Sequence, residues 1–114
     1  MEDEDREYFM DMLRYAEMTE RIFRSADVAE VISDETKLQA LLRALQTIGE
    51  AAGQVTVGER AKHGDLPWAD MIAMRHRLVH DYRRTRIDIV VKTLRSDIPG
   101  LIRALRRALG NEDQ

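Results

Sequence analysis

Apolar residues recur at three- and four-residue spacing through four stretches of this chain, and no segment alternates convincingly over the length of a strand. That pattern restricts the chain to packed amphipathic helices, because each apolar stripe needs another helix to cover it. The first helix is expected from Asp5 to about Arg24. Phe9, Met12, Leu13, Ala16 and Phe23 form its stripe, with Met10 and Ile22 at the edge. Ser25 to Ser33 reads as a connector with room for a helical turn. A second helix starts after Ser33 or Asp34, either a good N-cap, and carries Leu38, Leu41, Leu42, Leu45, Ile48 and Ala52 to an end near Val55.

Thr56 to Gly64 reads as a polar loop. Asp65-Leu66-Pro67-Trp68 then opens a third helix, since proline at the first turn gives up only an N–H that has no helical partner. This helix runs to about Asp81, with Trp68, Ile72, Leu78 and Val79 as its main apolar residues. Arg83 to Arg86 marks a turn. The fourth helix carries Ile87, Val90, Val91, Leu94, Ile98, Leu101, Ile102 and Leu105, and Pro99-Gly100 should kink or divide it. Asn111 to Gln114 reads as a frayed tail.

The expected architecture is all-α, an up-and-down four-helix bundle with a kinked last helix, in one domain covering residues 1–114. A chain of this size commonly gains stability by dimerising. Gly49, Ala51, Ala52 and Gly53 make a small-residue patch. Glycine inside a helix costs about 1 kcal/mol relative to alanine, so close backbone packing is the reason to expect it there. Gly49, Ala52 and Gly53 of that patch, or the kinked last helix, could supply the dimer surface.

The composition, 44% hydrophobic and 34% charged, is that of a folded chain. The absence of cysteine excludes a disulfide framework and thiolate metal ligation. It also fits a cytoplasmic location, as does the acidic start Met1-Glu2-Asp3-Glu4-Asp5, which is the opposite of a targeting peptide. No apolar run approaches the roughly 20 residues that span a bilayer. The net charge of −3 conceals an asymmetry: Met71 to Leu109 holds ten basic and three acidic residues, the first seventy residues eight and sixteen. The C-terminal third could present a basic face to RNA, or the two halves could neutralise each other within the fold or across a dimer.

Chemistry concentrates in Met74-Arg75-His76-Arg77-Leu78-Val79-His80-Asp81-Tyr82. An Arg and a His that can meet at one phosphate are the minimum for cutting RNA without a metal. The Arg stabilises the anionic phosphorane and the His moves a proton. Arg75 and His80 are five residues apart, about 140° around an ideal helix. To reach one phosphate, the helix must end or bend near His80, or two chains must contribute, as a two-fold dimer would allow. By spacing alone an ordinary solvated face is the plainer reading. His76 and His80 share a face at metal-binding spacing, but the His-Glu-x-x-His pattern fails and nothing selects a third ligand among His63, Asp70 and Asp81. His63 itself reads as a surface residue. Tyr82, taken alone, is an amphipathic ring at a helix end. Glu50 is a lone carboxylate among small residues, able to pair with an Arg or cap a neighbouring element. The charged face of the fourth helix, with Arg95, Arg103, Arg106 and Arg107, is more often solvated than an RNA track.

Three segments in this order and spacing carry a resemblance: Ile48-Gly49-Glu50-Ala51-Ala52, Leu66 through Arg75, and Arg75 through Tyr82. Over nearly its whole length the chain resembles the HepT-like toxins of the HEPN superfamily, partners of minimal nucleotidyltransferase antitoxins. The resemblance implies an all-α dimer and a metal-independent endoribonuclease toxin of a toxin–antitoxin system, with the motifs of two protomers facing each other. It implies that Arg75 stabilises the transition-state phosphate. His80 would act as general acid/base on the ribose 2′-hydroxyl or the leaving 5′-oxygen, giving a 2′,3′-cyclic phosphate and a 5′-hydroxyl. Tyr82 matches the tyrosine that the partner nucleotidyltransferase modifies with AMP, an off-switch that sets phosphate charge beside the cleft. The chain itself would need no cofactor, since ATP and Mg²⁺ would belong to that partner. His76 stands where the family has Asn. It could take over the amide's role of fixing the Arg or the phosphate, or alter the proton affinity of His80. The alternative implied by the same resemblance is a non-catalytic helical module that binds a nucleotidyltransferase.

Overall fold

The computed structural model describes residues 1–24, 28–80 and 87–112, with the backbone alone for 32, 77–80 and 111–112. The chain is an all-α bundle. Its helices are α1 (Asp3–Arg24), α2 (Val28–Ser33), α3 (Glu35–Gln54), α4 (Val57–Ala61), α5 (Trp68–His80), α6 (Ile87–Lys92) and α7 (Ile98–Glu112), with a π-helical turn at Thr93–Asp97 joining the last two. No helix is long and apolar enough to cross a membrane among the described residues.

Helix α1 packs on α3 and α7, and α3 also packs on α5. The core they enclose is built from the expected stripes. Phe9, Met12, Ala16, Leu41, Ala52 and Leu105 are fully buried, whereas Met10, at the stripe edge, is 52% exposed. Asp34 caps α3 by accepting a hydrogen bond from Lys37 N–H at 3.1 Å. Acidic residues occupy the first turn of α1 and Arg21 and Arg24 its last, the order that complements the helix dipole. The acidic and basic parts of the chain do meet within one molecule: Arg106 pairs with Glu17 at 2.8 Å, and Arg107 with Asp65 at 3.3 Å.

Four expectations change. The fourth helix is divided one turn before Pro99, where Ile98 N–H donates to Thr93 O, five residues back. Pro99 has no N–H, and its ring would strike the carbonyl four residues back, so the backbone widens into a π-turn ahead of it. Helix α7 continues to Glu112, into the segment expected to fray. The stretch after Val55 is not a bare loop but holds α4. Of the patch offered as a dimer surface, Gly49 and Ala52 are buried within the bundle, which leaves Gly53, half-buried, as its accessible part. The Arg83–Arg86 turn lies outside the described residues.

Helix α4 is held by side chains from a distance. Asp5, only 2% exposed, accepts from Thr56 N–H at 3.0 Å and from the Thr56 hydroxyl at 2.7 Å, so α1 caps the start of α4. Arg60 donates to the carbonyls of Val55 and Gly53, satisfying the end of α3. The Thr56 hydroxyl, then its N–H, hold the Asp5 carboxyl below the usual carboxylate range, against the upward push of burial. Asp5→Ala is expected to lower stability at neutral pH by about 1–3 kcal/mol. Because the folded-state value is depressed, Asp5 stabilises fully above the ordinary aspartate value of about 3.9. That contribution is lost as pH falls through the lower folded-state value. Urea unfolding of wild type and variant at pH 7 and at pH 3 should show the gap narrowing in acid.

Candidate active site

Arg75 sits near the middle of α5, where that helix lies close against α3. The close approach is set by Gly49: a Cβ built there would lie 2.5 Å from Arg75 Cβ and 2.6 Å from Met71 O. The expected reason for a small residue inside this helix therefore holds at Gly49, and the surface it admits is the backbone carrying Arg75. Gly53 has nothing within 4 Å of such a Cβ, so the same reason does not extend to it.

The packing leaves Arg75 half-buried with its Nε shielded from solvent and without a hydrogen-bond partner. A buried guanidinium N–H that donates to nothing is costly, by about 1–3 kcal/mol, and is rare in folded proteins. An anionic oxygen brought to that face would satisfy it, and guanidinium matches phosphate geometry through paired donors.

Arg75 also forms one wall of a cavity of about 360 Å³ between α1, α3 and α5, lined by Tyr8, Asp11, Thr47, Glu50 and Gln54. Glu50 thus shares its cavity with a second carboxylate, Asp11 of α1, which its sequence neighbourhood gave no reason to expect. Tyr8 donates to Glu4 at 3.4 Å. Burial of the ring and the negative charge of Glu4 push the Tyr8 hydroxyl up from its ordinary value, so it keeps its proton at neutral pH. Tyr8, Asp11 and Gln54 were not among the residues the sequence singled out. They belong to polar helix faces, and only the packing of α1 against α3 brings them together.

His76 follows Arg75 on α5 and is exposed. His80 closes the described part of α5, so Arg75 and His80 share one helix. The His80 side chain and Tyr82 lie outside the described residues, as does the meeting of Arg75 with His80. His63 is not the surface residue expected. Its Nε2 lies 2.8 Å from Glu59 Oε2, its ring meets Phe9 edge-on at 5.0 Å, and its carbonyl accepts from the Trp68 indole at 3.0 Å. It pins the loop before α5 to α1 and α4, which fixes where α5 begins. No group of three or more potential metal ligands is gathered among the described residues.

A half-buried arginine whose Nε lacks an acceptor, on a helix shared with a histidine, is chemically able to hold a phosphate oxygen. Residues 12–108 match the sequence model of the Ribonuclease HepT-like family. The chain is 30% identical over 101 residues to a Thermococcus cleftensis protein named "Probable ribonuclease HepT", covering 89% of this chain and 92% of that one. A Caldanaerobacter subterraneus subsp. tengcongensis protein, provisionally named an RNase, is 27% identical over 94% of this chain and 96% of its own. A similarly named protein of Methanocaldococcus jannaschii is 28% identical over 81% of this chain and 84% of its own. No solved structure matches the chain. The chain belongs to the HepT-like ribonuclease family of the HEPN superfamily. Membership supports ribonuclease activity and an RNA substrate.

Proposed function

We propose that this chain, acting as one domain, is the toxin of a toxin–antitoxin system, a metal-independent endoribonuclease whose catalytic residues are Arg75 and His80. The observation that carries the proposal is the Arg75 guanidinium, packed against Gly49 and left with a buried Nε that has no acceptor. A phosphoryl oxygen held by this guanidinium would supply the acceptor that the fold leaves missing.

In the proposed reaction the ribose 2′-oxygen attacks phosphorus and the 5′-oxygen leaves. Arg75 neutralises charge on the non-bridging oxygens. The 2′-hydroxyl proton passes to one His80, and a protonated His80 gives a proton to the leaving oxygen. Five residues of helix separate Arg75 and His80 by about 7.5 Å along the axis and about 140° around it. A two-fold dimer with both motifs at a shared cleft supplies two copies of each. His76, next to Arg75, supports the site from the solvent side in place of the family's Asn. The antitoxin is a nucleotidyltransferase that transfers AMP to Tyr82, using its own ATP and Mg²⁺, in the cytoplasm.

The test is growth after inducing this chain alone, beside His80→Ala, with RNA from both cultures assayed for 2′,3′-cyclic phosphate ends. Arrest and new cyclic ends in the wild type, both absent from a folded His80→Ala protein, are expected. Soluble wild-type protein that neither arrests growth nor cuts RNA would instead favour a non-catalytic module that binds a nucleotidyltransferase.

A further inference from the structure

The cavity beside Arg75 is unsuited to phosphate. Among the described residues two carboxylates, Asp11 and Glu50, line it with one cation, Arg75, so a phosphate drawn to Arg75 is repelled from the carboxylate side. Its volume, about 360 Å³, is within the range of small-ligand sites. Arg75 lines it too, and among the described residues its Nε is the buried side-chain donor without an acceptor. No hydrogen bond or ion pair among the described residues ties up Glu50 or Gln54, so both keep their capacity for a ligand. The Thr47 hydroxyl proton is already given to Arg43 O at 2.8 Å, which leaves its oxygen as an acceptor.

From this we infer that the cavity is the base-recognition subsite of the ribonuclease, and that it selects guanine through Glu50. The inference rests on the assignment of Arg75 to the scissile phosphate. A carboxylate only accepts hydrogen bonds, so the base it favours must present N–H groups. Guanine offers N1–H and N2–H side by side, a pair that one carboxylate takes with both oxygens. Adenine and cytosine offer one amino group next to an acceptor, and uracil places a single N–H between two carbonyls that a carboxylate repels. Gln54 can donate to guanine O6. The Tyr8 ring supplies an aromatic face of the kind on which bases stack, and its protonated hydroxyl adds no charge. The phosphate stays on Arg75, away from the two carboxylates of this open site.

The experiment measures affinity of the full chain for guanosine 3′-monophosphate and uridine 3′-monophosphate by calorimetry, in the wild type, Glu50→Gln and Arg75→Met. Wild type is expected to prefer the guanosine nucleotide about tenfold, the discrimination of one bidentate base contact. Glu50→Gln, which keeps the side-chain shape, should reduce the preference to within about twofold while retaining the uridine affinity, a pattern general unfolding would not give. Arg75→Met should weaken both nucleotides alike. Equal affinities in the wild type, an undiminished preference in Glu50→Gln, or no binding of either nucleotide would each overturn the base subsite. Failure of the ribonuclease assignment is read separately, from cyclic phosphate ends in cells that express the wild type.

Discussion

Arg75→Met is expected to cut RNA cleavage severely and to raise the melting temperature of the protein. The two effects have one cause. In the folded chain the Arg75 Nε is buried without an acceptor, so folding strips water from a donor and returns nothing. Methionine fills similar space with no donor, and relief of that cost should stabilise the bundle by about 1 kcal/mol. For a domain near 100 residues this corresponds to a rise of roughly 4–8 °C. Cleavage should meanwhile fall by a factor on the order of 10²–10³, the loss seen when one preorganised donor to a developing oxyanion is removed. Arg75→Lys tests the geometry: it keeps the charge but not the planar pair of donors, and should remain far below wild type. Scanning calorimetry beside a cleavage assay decides it. A lower melting temperature in Arg75→Met would mean that Arg75 is a structural residue.

That a functional residue sits at a local cost in stability explains why it could not be recognised from helix rules alone. Periodicity carries the information that places Phe9, Met12, Leu41 and Leu105 in the core, because burial along a helix repeats with the helix. The all-α architecture was legible for that reason, and so was the cap at Asp34. Helix α4, with five residues, is too short to establish a period, and its anchors lie far off in sequence: Asp5 is 51 residues from Thr56. His63 reads as exposed until Phe9 is placed against it. The division of the last helix was legible from Pro99, but its position was not, because the π-turn forms where the preceding carbonyls must yield.

The candidate site divides in the same way. The Arg75-to-Tyr82 block is contiguous and its residue types are suggestive, so its chemistry could be stated before any fold. Its cavity is assembled from three helices, and no local pattern announces that Tyr8 and Asp11 of α1 face Glu50 and Arg75. Glu50 showed as an isolated carboxylate because its companion is supplied by tertiary packing.

Gly49 joins the fold to the site, and Gly49→Ala is expected to damage both. The new methyl carbon would meet Met71 O at 2.6 Å and Arg75 Cβ at 2.5 Å. The first is backbone and the second the root of a side chain, so neither can rotate away. Helix α5 has to shift by roughly an ångström to reach ordinary contact, and overpacking of this kind costs about 1–3 kcal/mol. A shift of that size in a catalytic group costs on the order of 10²-fold in rate. The surviving folded protein should therefore be nearly inactive at temperatures well below its melting point. Gly53→Ala, four residues along the same helix, is the control. A Cβ there meets nothing within 4 Å, so helix propensity governs, and stability should rise by as much as about 0.5–1 kcal/mol with cleavage unchanged. Urea unfolding and single-turnover cleavage of the two variants separate the effects. If Gly49→Ala kept wild-type activity while folded, the close approach of α3 to α5 would not be what positions Arg75.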